Sequence, residues 1–288
     1  MTIDSNAAPR LRVIWAGRSV VGCVRTNNED ALWAGALAGD PGDGREITDD
    51  VEGDSVLLRP GAVLAVADGM GGAKAGEVAS ELAVTILREE MLRRAAEGAA
   101  DGADEGGLAE AFVGAVEVAN ERIRDESAVN PARRGMGTTL TAVWVYDHTA
   151  QLVHVGDSRA YLFRKGRLSR LTKDQSLVEK LLEDNIITEE EAQRMGARNI
   201  ILQALGSEED LDVAQPRSGL EAGDILMLCT DGLTGVVPDD DVEEILRAGG
   251  SLEEACARLI AAAEAGGGPD NITVLVGRIE PEHSAPHA

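Results

Sequence analysis

The sequence predicts an α+β fold, antiparallel sheets with the helices segregated outside them. Two observations carry the prediction. Strand-like runs follow one another directly across tight turns, 139–146 by 151–155 and 160–164 by 167–171, as antiparallel pairing requires. The helical stretches gather between groups of strands instead of alternating with single strands, which argues against a doubly wound parallel sheet.

In chain order, a first strand is expected over 17–24. Residues 36–60 are rich in Gly and Asp and contain Pro41 and Pro60, which predicts a long surface loop. Its Asp49, Asp50, Glu52 and Asp54 miss the spacing of a calcium-binding EF-hand loop, and no Glu closes the pattern at its twelfth position. A short apolar strand at 63–67 ends in Asp68-Gly69. A helix follows over 75–94, with Val78, Leu82, Ile86 and Met91 near one face, and a second over 107–126 after a Gly/Ala-rich connector. Residues 139–146 alternate as a half-buried strand does, 147–150 turn, and Lys165-Gly166 makes a compact hairpin turn. Thr188 with Glu191, and Ser251 with Glu254, match the capping box, so helices begin at both places. Strands at 225–230 and 272–279 complete the series. Residues 1–10 and 281–288 read as polar, disordered tails, leaving one domain over 11–280.

Composition narrows the function. The formal charge is −24, from 51 acidic against 27 basic residues. A nucleic-acid binder needs a basic footprint, and docking to anionic lipid needs one too. No apolar run approaches the length of a membrane span, and residues 1–10 lack the features of a signal peptide. The three cysteines, Cys23, Cys229 and Cys256, are odd in number and form no CxxC; Cys23 and Cys229 lie in apolar runs and read as buried free thiols in a cytoplasmic protein. Seven aromatic residues (three Trp, two Tyr, two Phe) leave the core to Val, Leu, Ile and Ala.

The informative carboxylates sit at strand ends. Asp68, Asp157 and Asp231 each close an apolar run, and Asp270 immediately precedes another. Asp-Gly after a strand is a common turn signal, so any one alone reads as a turn. Four of them at converging strand ends would repel one another, and divalent cations remove that penalty. An all-oxygen set points to Mg²⁺ or Mn²⁺ rather than zinc. The Gly-rich stretch after Asp68 raises a phosphate-cradling loop as a rival. However, Lys74 is followed by Ala75, and neither the P-loop nor the GxGxxG spacing is met.

Six segments then occur in a telling order: Arg25 with Asn28-Glu29-Asp30, Val66-Ala67-Asp68-Gly69-Met70-Gly71-Gly72, Gly137-Thr138-Thr139, Val155-Gly156-Asp157-Ser158-Arg159-Ala160-Tyr161, Thr230-Asp231-Gly232-Leu233, and Pro269-Asp270-Asn271-Ile272. Together, over about 17–279, they resemble the type-2C metal-dependent serine/threonine protein phosphatases in their bacterial form. The resemblance implies a four-layer α-β-β-α sandwich. It implies two metal ions, Mn²⁺ or Mg²⁺, bridged by Asp68 and a water, with the Gly69 carbonyl at one site and Asp231 and Asp270 at the other. Bacterial relatives often bind a third ion through the equivalents of Asp157 and Asp231. Arg25 would hold the phosphate, and Glu29 and Asp30 would orient metal-bound waters. Residues 171–206 resemble the family's flap and its neighbouring helices.

The chain departs from the pattern in two respects. Met70 stands where animal members carry a His proposed as general acid, and Ala73 where many bacterial members carry one, so the proton donor to the leaving group has no assigned residue. Gly235 stands where some relatives add a carboxylate for the third ion. His154, in the strand leading to Asp157, reads as structural. The expected function is metal-dependent hydrolysis of phosphoserine and phosphothreonine in proteins, opposing a serine/threonine kinase. The alternatives are a non-catalytic regulatory protein on the same fold and a phosphatase of small phosphorylated metabolites.

Overall fold

The computed structural model describes residues 10–38, 48–71, 75–101, 105–194, 200–207 and 209–282. Four strands come first: β1 (Leu11–Val20), β2 (Asp30–Ala36), β3 (Asp50–Val56) and β4 (Ala62–Met70). Two long helices follow, α1 (Ala75–Asp101) and α2 (Glu105–Val129). Then come β5 (Gly137–Thr138), β6 (Leu140–Tyr146), β7 (Thr149–Val155), β8 (Arg159–Arg164) and β9 (Arg167–Arg170), and the short helices α3 (Leu177–Glu183) and α4 (Glu189–Arg194). The chain finishes with β10 (Arg217–Gly219), β11 (Ile225–Cys229), α5 (Asp231–Thr234), α6 (Asp239–Arg247), α7 (Leu252–Ala265) and β12 (Ile272–Pro281).

The strands form two sheets, ordered β3-β1-β12-β11-β8-β9 and β10-β7-β6-β4-β2, with β5 paired to β4. The pairings are antiparallel throughout. Alternation along β4 explains how one strand serves two cores. Leu64 and Val66 turn into the space between the sheets, against Leu228 and Leu275. Val63, Ala65 and Ala67 turn the other way, onto the layer that holds Val84, Leu87 and Met91 of α1 and Phe112 and Ile123 of α2. On the far side, Met227, Val274 and Val276 pack against Leu233, Val242, Leu259 and Ile260 of α5, α6 and α7. The result is the four-layer α-β-β-α sandwich that the resemblance implied.

The hairpin of β8 and β9 turns at Lys165-Gly166, both with positive φ. Ser251 and Glu254 complete the capping box at α7, and Thr188 and Glu191 exchange the equivalent bonds at α4. Three expectations need correction. The first strand is 11–20, not 17–24, and residues beyond Val20 form the loop that carries Arg25. The stretch 36–60 is not all loop. β3 forms within it because β1 offers a free edge and Val51 packs into the inter-sheet core, while Asp50, Glu52 and Asp54 on its other face are exposed. The first long helix runs to Asp101 and the second begins at Glu105, so the described residues of the Gly/Ala-rich connector are helical. β12 reaches Pro281, and the Glu282 amide donates to the Arg10 carbonyl. Residues 1–9 and 283–288, Gly72, Ala73 and Lys74, and residues 39–47 lie outside the described residues.

Candidate metal centre

Both sheets deliver carboxylates to one end of the sandwich. Asp30 opens β2 and lies directly opposite Asp68 of β4 in the antiparallel ladder. Asp231 follows β11 at the first turn of α5, and Asp270 precedes β12. Asp157 lies in the turn where the chain leaves β7 in one sheet for β8 in the other. The sheets are tied together at this end by Asp30, whose Oδ2 accepts from Thr230 Oγ1 at 2.8 Å and from Thr273 Oγ1 at 2.6 Å.

Backbone hydrogen bonds hold the turns. The Asp68 amide donates to Thr139 Oγ1 at 2.9 Å, and its carbonyl accepts from Thr138 Oγ1 at 2.9 Å. Asn271 is a three-way clamp. Its Nδ2 donates to the Val21 and Asn27 carbonyls at 2.9 and 2.8 Å, and its Oδ1 accepts from the Glu29 amide at 2.8 Å. The loop bearing Arg25 is thereby fixed to the residue beside Asp270. Gly69 is squeezed between chains. A Cβ there would lie 2.1 Å from the Gly76 carbonyl oxygen and 2.5 Å from that of Glu29, so only glycine permits the approach.

Burial and mutual repulsion dominate the electrostatics of the cluster. Burial, then the remaining carboxylates, pushes Asp68 well above the usual aspartate range. Asp30 is pushed up to about 7 by burial, opposed by its two threonine donors. Asp157 is also pushed up to about 7, by burial and then by Asp231 and Asp174. Asp231 is raised by burial and by Asp270, and lies within hydrogen-bonding reach of Asp68. One oxygen each of Asp30, Asp157 and Asp231 is buried without a partner. Such orphans are rare in native interiors and call for an ion or water.

These donors fit hard divalent cations. Among the described residues no three His, Cys, Asp or Glu side chains form a ready-made cage for one ion. The cluster's donors are all carboxylate oxygens, the chemistry of Mg²⁺ or Mn²⁺ rather than of zinc.

Arg25 Nη2 donates to Asp270 Oδ2 at 2.7 Å, and the Asn271 amide occupies the other Asp270 oxygen. The Arg25 side chain is half-exposed, so its remaining donors face solvent. Glu29 is raised by burial, an effect Arg25 opposes and Asp270 and Glu77 reinforce. Its backbone carbonyl accepts from the Gly69 amide at 3.0 Å and from Ser80 Oγ at 2.6 Å. The eight residues singled out from the sequence — Arg25, Glu29, Asp30, Asp68, Gly69, Asp157, Asp231 and Asp270 — thus gather around one cluster. Sequence reasoning quoted Thr139, Thr230 and Asn271 within its segments but gave them no role, and it did not single out Thr273. Their signal was adjacency, since each flanks or pairs with one of the aspartates.

Met70 ends β4 opposite Gly137 and offers no proton. His154 is fully buried and neutral, its pKa lowered to about 4 by burial. Its ring bonds to Thr141 Oγ1 and to the Lys173 carbonyl, which is a structural role. Asp49, Asp50, Glu52 and Asp54 form no cluster, and Asp50 pairs with Arg18.

A model of the family described as protein phosphatase 2C matches residues 42–264. The serine/threonine protein phosphatase PstP of Mycobacterium tuberculosis is 38% identical over 263 residues, covering 91% of this chain and 44% of that protein. The chain therefore spans less than half the length of that relative. The serine/threonine phosphatase stp of Listeria welshimeri is 38% identical over 214 residues, covering 74% of this chain and 83% of that one. Among solved structures, the catalytic domain of PstP in complex with two manganese ions superposes with a TM-score of 0.74 at 36% identity, covering 94% of this chain and 99% of that chain. The S. agalactiae serine/threonine phosphatase superposes with a TM-score of 0.77 at 29% identity, covering 92% and 99%.

Proposed function

This chain belongs to the protein phosphatase 2C family, and we propose that it hydrolyses phosphoserine and phosphothreonine esters in proteins with the help of divalent cations. One observation carries the reading: buried, mutually repelling aspartates from both sheets, three of them with unpartnered oxygens, stand beside a half-exposed arginine.

In this reading Asp68, the Gly69 carbonyl, Asp231 and Asp270 hold two cations, and Asp157 with Asp231 holds a third. Mn²⁺ is favoured over Mg²⁺ because the PstP catalytic domain was solved with two manganese ions. Such ions, when bound, supply an acidified water and neutralise charge on the phosphoryl oxygens.

The chain's own residues do the rest. Arg25 offers a guanidinium fork to two phosphate oxygens, and its bond to Asp270 aims it. Asn271 keeps the Arg25 loop registered on Asp270. Glu29 and Asp30 orient water, and the free Oδ1 of Asp30 can hold or release a proton near neutral pH. Met70 leaves the departing alkoxide to be protonated by water or through Asp30. The proposal places the attack with water and includes no phospho-enzyme.

The substrates we propose are made by a serine/threonine kinase, which this phosphatase would oppose. A cytoplasmic site is supported by the buried free thiols of Cys229 and Cys256, although Cys23, which the sequence placed among the buried thiols, is exposed in the loop after β1. Among the described residues no helix is long and apolar enough to cross a membrane. The test is release of phosphate from a phosphothreonine peptide, expected to require Mn²⁺ or Mg²⁺.

A further inference from the structure

Three consecutive residues, Lys173, Asp174 and Gln175, each hold a residue beside Asp157. The Lys173 carbonyl meets His154 Nε2 at 2.9 Å. The Asp174 carboxylate receives Arg159 through Nε at 3.1 Å and Nη2 at 2.7 Å. Gln175 clasps Gly156 from both sides of its peptide. Gln175 Oε1 accepts from the Gly156 amide at 2.8 Å, and the Gln175 amide donates to the Gly156 carbonyl at 2.8 Å. Gly156 has φ +107°, and a Cβ there would lie 2.6 Å from Thr139 Cγ2. The turn that carries Asp157 is thus wedged against Thr139 on one face and gripped by Gln175 on another.

The same glutamine reaches the opposite way. Its Nε2 donates to the Asp212 carbonyl at 2.6 Å, and its backbone carbonyl accepts from the Leu202 amide at 2.7 Å. Residues 200–207 run beside both turns. Leu205 exchanges backbone bonds with Thr138 at 3.0 and 2.9 Å, and Thr138 Oγ1 donates to the Asp68 carbonyl. One returning segment therefore touches both carboxylate turns, that of Asp68 through Thr138 and that of Asp157 through Gln175.

We infer that Gln175 is a positioning residue for Asp157: through Gly156 it aims the carboxylate whose Oδ1 is unpartnered, and it thereby sets the affinity for the cation that Asp157 helps to hold. This rests on the reading of Asp157 as a cation ligand. The physical reason is geometric. Cation coordination tolerates displacements of only a few tenths of an ångström, and Gly156 has left-handed freedom that only an external grip removes.

The experiment is calorimetric titration of Mn²⁺ into the wild-type protein, Asp157→Asn, Gln175→Met and Gln175→Ala, with a melting curve for each. The wild type is expected to show a binding step that Asp157→Asn loses. Both Gln175 variants should weaken that step at least tenfold while leaving the other binding unchanged. A purely structural role would lower the melting temperature and leave the Asp157-dependent step intact, which overturns the inference. Equal weakening of every step overturns it too. Failure of both Gln175 variants to fold assigns the residue to the scaffold alone and likewise overturns it. If the wild type binds no Mn²⁺, the cation reading itself fails. If the wild type binds Mn²⁺ and the Gln175 variants bind it equally well, the inference alone fails.

Discussion

Asp30 and Asp68 face each other directly across the β2–β4 ladder, two carboxylates in register where a sheet ordinarily separates like charges. Burial and the neighbouring carboxylates Asp231 and Asp157 raise the cost of ionising this pair.

That cost predicts an unusual pH dependence. Asp30 and Asp157 have folded values of about 7 against about 3.8 unfolded, so between those limits the folded state binds more protons. The penalty is absent below the unfolded value and complete above the folded one. Metal-free protein should therefore melt at a higher temperature at pH 5 than at pH 7.5, and excess Mn²⁺ should flatten or reverse the trend. Glu191, Glu243 and Glu253 are held below the ordinary value, so their contribution is lost only below about 4.5, outside the pH 5 to 7.5 comparison. Thermal melts in EDTA at the two pH values check this.

Arg25→Ala should raise KM for a phosphopeptide and lower kcat/KM by roughly tenfold to a hundredfold, as expected for a charge-assisted hydrogen bond of about 1.5–3 kcal/mol. Arg25→Lys should recover only part, because a point charge cannot present the planar fork. Because Arg25 also bonds Asp270, Mn²⁺ affinity measured by calorimetry in both variants separates the loss of phosphate binding from any change at that ligand.

Asn271→Ala removes three hydrogen bonds at once, leaving the Val21 and Asn27 carbonyls and the Glu29 amide without their partner. At about 1 kcal/mol each the loss is on the order of 3 kcal/mol, measurable as a lower denaturation midpoint. The loop that carries Arg25 should also become more accessible to amide hydrogen exchange.

Met70→His introduces a titratable group at the end of β4, where the resemblance places a general acid in animal members. It should speed hydrolysis of phosphothreonine, whose alkoxide leaves poorly, more than hydrolysis of an aryl phosphate, whose phenolate needs no proton. The ratio of the two rates, followed against pH, reads this directly. An unchanged ratio would mean that position 70 does not face the leaving group.

Much of the site was legible because strand-ending aspartates are a one-dimensional signal. Asp68, Asp157 and Asp231 close apolar runs, and antiparallel sheets bring such ends together. The Lys165-Gly166 hairpin and the Ser251 capping box were legible for the same reason, each being a local rule. What was missed is long-range. β3 depends on the β1 edge, and its short run of Val51, Gly53 and Ser55 carries too little local signal to mark a strand. β10 has three residues and exists only through its pairing with β7. Thr230 stood inside a motif and Thr273 read as an ordinary strand residue, but nothing near them in sequence reveals that both donate to Asp30, 200 and 243 positions away. Asn271 stood inside a motif, but its three partners come from a loop at the other end of the chain.

If these aspartates hold the cations of a phosphoprotein phosphatase, turnover must depend on both the ions and the carboxylates. The most direct measurement is the rate of phosphate release from a phosphothreonine peptide with Mn²⁺, with excess EDTA, and in Asp231→Asn. Release that depends on Mn²⁺, stops in EDTA and falls by roughly a hundredfold or more in Asp231→Asn is the predicted result. Turnover that survives EDTA, or is unchanged in Asp231→Asn, would contradict it.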